Sequence, residues 1–200
     1  MTASTEHRPR VAVFGSGNGT TARNLIEAGH WTCYDVRLVV GSRPGLGIQK
    51  VAEEYALPYR VLDGGTASDW VSILQEYHID VVALAGWLRM VPPEAISAIQ
   101  GRILNIHPSL LPKFGGHGMY GRRVHQAVVE AGDDVSGATV HMVTEKYDEG
   151  PIVDQMQCSI AGVTSAEDIE LKVREVEKLL YPKALHQFCA ALGPHGGSRI

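Results

Sequence analysis

Cysteine is scarce in this 200-residue chain: Cys33, Cys158 and Cys189 are odd in number, widely spaced and include no C-x-x-C pair. That excludes a disulfide framework and a cysteine-built zinc site, and it fits a reducing compartment. Long hydrophobic runs are missing too. No stretch approaches the roughly 20 apolar residues needed to span a bilayer. Met1 to Arg10 is polar and charged, without the apolar centre of a secretory signal. A membrane is therefore not expected among the partners, and the expected location is cytoplasmic. Basic clusters are equally absent. A formal net charge of -4 with no Lys/Arg patch argues against nucleic acid, although a small phosphorylated ligand can still be held locally. No internal repeat, low-complexity segment or linker divides the chain, so residues 1–200 are read as one domain. With 44% hydrophobic and 20% charged residues it can bury a substantial core.

What is present is an alternation of strands and helices. Val11 to Phe14 is a short apolar run that ends in Gly15-Ser16-Gly17-Asn18-Gly19, and Thr20 to Ala28 follows as a helix with Leu25 and Ile26 inward. Strands are then expected at 35–40, 59–62, 79–85 and 102–106, with helices at 47–55, 68–77 and from Pro93 through Ile99. Runs that are continuously apolar, Ile79 to Ala85 above all, belong to strands covered on both faces by helices. The second half changes character: Gly137 to Val143 and Ile152 to Ser159 read as two extended segments joined by the polar turn Thr144 to Gly150. Thr164-Ser165-Ala166-Glu167 has capping-box spacing, and Ile169, Val173, Val176 and Leu180 recur at helical intervals as far as Pro182. Residues 193–200 read as a frayed tail. The expected fold class is α/β, an open and mainly parallel twisted sheet with flanking helices and an antiparallel element in the C-terminal half.

Three polar groups stand at the ends of apolar stretches. Asn105 and His107 are two residues apart at the end of a strand, so both side chains face the same side of the sheet. An amide and a protonated imidazole so placed can each donate to a developing oxyanion. Asp148, in the turn between the extended segments, supplies a carboxylate that would raise the imidazole pKa and keep it protonated; Glu145 and Glu149 are its neighbours and compete for the role. This chemistry points to acyl-group transfer. The loop Gly17-Asn18-Gly19-Thr20-Thr21 opens a helix after a strand, the context in which glycines and free N–H groups hold a phosphate. It lacks the Gly-Lys-Ser/Thr ending of nucleotide triphosphatases and the G-x-G-x-x-G spacing of dinucleotide sites, so a single phosphate group is the better fit. The stretch 115–121 is a glycine-laden loop that can be read equally as a lid or as plain surface.

Asn105-Ile106-His107-Pro108-Ser109-Leu110-Leu111-Pro112, with Gly137-Ala138-Thr139-Val140-His141 leading into Asp148-Glu149-Gly150-Pro151-Ile152, resembles the 10-formyltetrahydrofolate-dependent formyltransferases over about Val11 to Pro182. The Ser16-Gly17-Asn18-Gly19-Thr20 loop and the chain length resemble the branch of purine biosynthesis that formylates glycinamide ribonucleotide. The resemblance implies catalytic positions at Asn105, His107 and Asp148, and a substrate phosphate on Gly17, Asn18, Gly19, Thr20 and Thr21. It further implies the substrate ribose on Glu177 and the folate pterin between Leu88, Arg89, Met90 and Val91 and a second wall of Val143, Thr144, Glu145 and Tyr147. It implies 10-formyltetrahydrofolate as co-substrate, glycinamide ribonucleotide as acceptor, no metal, and a monomer or homodimer. The phosphate end would then fall mainly in residues 10–100 and the folate and catalytic end in residues 101–192. The chain departs from the family in Thr21, where asparagine is usual, in Ala138, where serine or threonine is usual, and in lacking an arginine between Val61 and Ser68 to meet the folate tail. Alternatives within the resemblance are a formyltetrahydrofolate deformylase, which hands the formyl group to water, and methionyl-tRNA formyltransferase, normally longer and with an RNA-binding module. Outside it stands a folate or phosphosugar binder without catalysis.

Overall fold

The structure, a computed structural model, describes residues 8–63 and 65–192; the tail expected at 193–200 and most of the polar leader lie outside them. In chain order the elements are β1 (Arg10–Gly15), α1 (Thr20–Ala28), β2 (Asp35–Gly41), α2 (Gly47–Glu54), β3 (Tyr59–Val61), α3 (Ala67–Glu76) and β4 (Val81–Leu84). There follow α4 (Pro93–Ala98), β5 (Ile103–His107), α5 (Arg122–Ala131), β6 (Val135–Met142), β7 (Ile152–Ser159) and α6 (Ala166–Ala191). The strands form one sheet in the order β3-β2-β1-β4-β5-β6-β7. The pairs from β3 to β5 are parallel, and β6 and β7 are antiparallel.

Alternation along each strand splits the core in two. Val11 and Val13 of β1 face Leu25, Ile48, Val173 and Leu180 on the side of α1, α2, α5 and α6. Ala12 and Phe14 face Trp70, Leu74 and Ala95 on the side of α3 and α4. Phe14 stacks on Trp70 at 4.5 Å between ring centroids, and Trp87 meets both edge-on. This aromatic cluster fixes the segment that leaves β4 for the site.

Three features, in two helices, differ from the sequence expectation. Residues 122–131, unassigned by pattern, form α5: Val124 and Val128 lie one turn apart on its buried face, but a glycine-rich approach and the intervening His125 mask the period. Helix α6 does not stop at Pro182 but continues to Ala191. Proline cannot donate to the carbonyl four residues back, that of Lys178. Asn24 Nδ2 from α1 donates to that oxygen instead, at 2.8 Å, and buried Ala184, Leu185 and Cys189 carry the apolar face onward. The cap of α6 also sits one residue later than expected, with Asp168 N–H donating to Ser165 Oγ at 3.2 Å.

Candidate active site

β1 and β4 are neighbours from which the chain runs to opposite sides of the sheet, and ligands of open α/β folds collect beyond the carboxyl ends of such strands. A cleft of about 560 Å³ lies there, lined from the loops after β1, β4 and β5, the β6–β7 turn, and α5 and α6.

At one end is the N-terminus of α1. Gly19 sits at φ 86, and no side chain caps the helix. A Cβ on Gly19 would stand 2.8 Å from Ile48 Cα, so the loop crosses α2 only as glycine. Asn18 Oδ1 accepts from Thr20 N–H at 3.2 Å and Thr20 Oγ1 at 3.0 Å, holding the turn open toward the cleft. Gly17, Asn18, Gly19, Thr20 and Thr21 all line it. Glu177 lines the same cleft from α6, half-buried, and burial pushes its carboxyl up to about 7 while Arg174 pulls it down and Glu170 pushes it up.

In the middle, β5 and β6 set the polar groups by register. Asn105 pairs with His141 and His107 with Thr139, all four on the sheet face opposite Leu104, Ile106 and Val140. The exit from β5 is tied down: Leu111 N–H donates to Thr139 Oγ1 (3.0 Å), Thr139 Oγ1 donates to the Ser109 carbonyl (2.7 Å), and Gln155 Nε2 donates to the Leu111 carbonyl (2.9 Å). His107 is buried, its Nε2 donating to the Phe114 carbonyl at 2.8 Å and its Nδ1 lying 3.4 Å from Asp148 Oδ2. Asp148 Oδ2 also accepts from Gly116 N–H at 2.9 Å. Asn105, His107 and Asp148 therefore meet in one place.

The sequence reading had the carboxylate keeping the imidazole protonated. Burial instead dominates and takes His107 below its ordinary value, although Asp148 and the Phe114 carbonyl pull it back upward. Both ring nitrogens still face oxygen acceptors, so a second proton on Nδ1 gains an ionic partner without disturbing the first. For Asp148 burial raises the pKa, but contact with His141, the charge of His107 and the Gly116 N–H outweigh it and hold the carboxyl below the usual range. The carboxylate stays ionised at neutral pH.

His141 was not singled out by the sequence. Its Nδ1 donates to the Met142 carbonyl (3.0 Å), and its Nε2 lies 3.1 Å from Asn105 Nδ2 and 3.5 Å from Asp148 Oδ1. With one proton, on Nδ1, the ring accepts at Nε2 from the Asn105 amide and leaves the second amide N–H turned to the cleft. The sequence signals were its place at the end of the Gly137-Ala138-Thr139-Val140-His141 run and parity: His141 stands two residues beyond Thr139 on the inward face of β6.

At the far end Leu88 and Met90 are exposed and line the cleft, whereas Trp87 and Val91 are buried beneath them. The Arg89 side chain is engaged by Asp63 at 2.7 Å, which leaves its backbone as the part free to meet a ring. Val143, Thr144 and Tyr147 line the opposite wall, and Tyr147 meets the His117 ring at 5.5 Å. Glu145 is exposed and outside the lining. Residues 116–121 line the cleft, so the glycine-rich loop is part of its wall. Arg123, His125, Glu170 and Arg174 also line the cleft and were likewise not anticipated.

Comparison with known proteins agrees with this arrangement. A family model described as formyl transferase matches residues 9–185. The chain is 37% identical over 200 residues to the chloroplastic phosphoribosylglycinamide formyltransferase of Arabidopsis thaliana, covering 92% of this chain and 67% of that protein. It is 32% identical over 189 residues to the phosphoribosylglycinamide formyltransferase of Haemophilus influenzae, covering 90% and 86%. The crystal structure of glycinamide ribonucleotide transformylase 1 from Symbiobacterium toebii superposes with a TM-score of 0.87, with 28% identity over 96% of this chain and 92% of that one. The family model and these relatives, matched over nearly the whole length, place the chain in the formyl transferase family.

Proposed function

We propose that this chain transfers the formyl group of 10-formyltetrahydrofolate to the amine of glycinamide ribonucleotide, a step of purine biosynthesis. The observation that carries the reading is the meeting of Asn105, His107 and Asp148 between an uncapped helix N-terminus and an exposed apolar strip. The helix end, with Gly17, Asn18, Gly19, Thr20 and Thr21, suits the phosphate, and Glu177 suits the ribose hydroxyls. Leu88, Arg89, Met90 and Val91 suit the pterin, with Val143, Thr144 and Tyr147 facing them. Each half of the chain contributes to both ends, since residues 88–91 precede the catalytic strand and Glu177 follows it. With three free cysteines and, among the described residues, no helix long and apolar enough to cross a membrane, a cytoplasmic enzyme acting as monomer or homodimer is the fitting assignment. No group of side chains among the described residues is arranged to hold a metal ion, and the reading uses none.

In this mechanism the substrate amine attacks the formyl carbon, and its carbonyl oxygen gains negative charge. Asn105 Nδ2–H donates to that oxygen, and the His107 ring, whose Nε2–H rests on the Phe114 carbonyl and whose Nδ1 faces Asp148, donates to it as the substrate displaces one of these partners. Asp148 faces His107 Nδ1, stabilises the imidazolium as it forms, and takes part in removing the proton the amine must lose. The bond from the formyl carbon to the folate nitrogen then breaks, and the proton passes to that nitrogen.

Incubation with 10-formyltetrahydrofolate, with and without glycinamide ribonucleotide, tests the reading through the absorbance of the tetrahydrofolate released. Turnover only with the amine is expected; turnover without it would point to a deformylase, and none under either condition to a binder. Asp148→Asn removes the charge that raises the His107 pKa. The limb on which activity falls with rising pH should then move to lower pH, with folate affinity mostly intact. A kcat profile superimposable on that of the unaltered enzyme would remove Asp148 from this role.

A further inference from the structure

Two lining residues, Trp87 and His125, carry a buried ring nitrogen without a hydrogen-bond partner among the described residues; Trp87 belongs to the aromatic cluster beneath the apolar strip, and His125 is the one beside the reacting centre. It projects from the buried face of α5, is 3% exposed, and lines the cleft. Its Nδ1 is sealed from solvent without a hydrogen-bond partner, and no protein group among the described residues partners Nε2 either. A buried imidazole with no partner costs stability unless a ligand or water completes it. Its surroundings say where on a ligand it would act. His107 approaches from the reacting centre, and Glu170 and Arg174 from α6, on the side of Glu177. Glu170 and Arg174 pair with each other, which leaves neither committed to the imidazole. Burial outweighs the pull of Glu170 and holds the ring below its ordinary pKa, hence neutral at pH 7. A sealed donor costs more than a sealed lone pair, so the single proton belongs on Nε2, the nitrogen that the cleft can reach.

We propose that His125 Nε2–H is a specificity-determining donor for the acceptor substrate, reading the amide carbonyl that joins its primary amine to its sugar. The position fits that group alone among the parts of such a substrate. The amine must lie at His107, and the sugar and phosphate at Glu177 and the α1 N-terminus; the neutral amide spans the interval between them. The contact is made equally in the bound substrate and in the transition state, so it acts on KM for the acceptor more than on kcat. A competitor that presents water or a simple amine loses it and leaves the imidazole unsatisfied.

The inference rests on the formyl-transfer reading above, and its test separates the two. If the unaltered enzyme does not turn over with glycinamide ribonucleotide, that reading fails; the variants below decide the inference once it does. Glutamine places an amide N–H near the position of imidazole Nε2, asparagine near that of Nδ1. His125→Leu and His125→Asn should each raise KM for glycinamide ribonucleotide about 10-fold, consistent with loss of one hydrogen bond to a desolvated partner. His125→Gln should stay within about 3-fold of the unaltered enzyme. KM for 10-formyltetrahydrofolate should be unchanged in all three. Equal effects of Gln and Asn, a parallel rise in both KM values, or an unchanged acceptor KM in His125→Leu would overturn the proposal. If the leucine variant fails to fold, the Gln and Asn pair alone decides it.

Discussion

His107→Ala is expected to lower the rate of the chemical step by roughly 100- to 1000-fold, the loss typical of a missing oxyanion donor or general acid. Single-turnover measurement with saturating substrates reads that step directly. The expectation follows from what the ring alone provides. His107 faces the ionised Asp148 carboxylate through one nitrogen and donates through the other. Asn105 would remain, held by His141, and accounts for residual activity. Binding of 10-formyltetrahydrofolate should change little, because the apolar strip at Leu88 and Met90 is distant in sequence and rests on the Trp70 cluster. Turnover close to that of the unaltered enzyme would remove the imidazole from the mechanism. Asp148 loses one partner in the variant but keeps the Gly116 N–H, so the β6–β7 turn should hold.

Gly150→Ala is expected to damage stability and activity together. A Cβ at this position would overlap the carbonyl oxygen of Met142, a backbone atom that cannot swing aside. Met142 N–H is itself bonded to the Pro151 carbonyl at 2.8 Å, so the two chains cannot separate without opening the end of the β6–β7 ladder. Overpacking of this kind costs about 1–3 kcal/mol, and in a domain of this size each kcal/mol lowers the melting temperature by about 2–4 °C. The same carbonyl accepts from His141 Nδ1. Pushing it away releases the His141 ring, and with it the orientation of the Asn105 amide, so kcat should fall at temperatures where the fold remains intact. Thermal unfolding and kcat at 25 °C check the two parts; an unshifted melting temperature would show that the turn yields freely.

The parallel half of the fold was legible because its strands are buried on both faces and written as unbroken apolar runs. Val11 to Phe14 and Ile79 to Ala85 need no partner to be recognised. The hairpin and its turn were legible from the same kind of contrast, apolar segments either side of Thr144 to Gly150. What stayed hidden depends on contacts between distant residues. Pro182 reads locally as a helix end, and the Asn24 side chain, 154 positions along the chain from the Lys178 carbonyl it meets, is what reverses that reading. His141 and His125 sit inside apolar stretches, where a histidine has no local mark of function; the first acquires one from its pairing with Asn105, the second from the way α5 packs against α6. The net direction of the His107 pKa was hidden for a related reason. Its charged neighbour was visible in the sequence, but the depth of its burial was not.

The antiparallel register of β5 and β6 acts as a ruler for chemistry. Sliding one strand by a single position would present Val140 or Met142 to Asn105 and turn His141 to the opposite face. The ladder therefore has no neighbouring alignment that preserves even a weakened centre. A collapsed chain with every helix formed but that pairing misaligned would be inert.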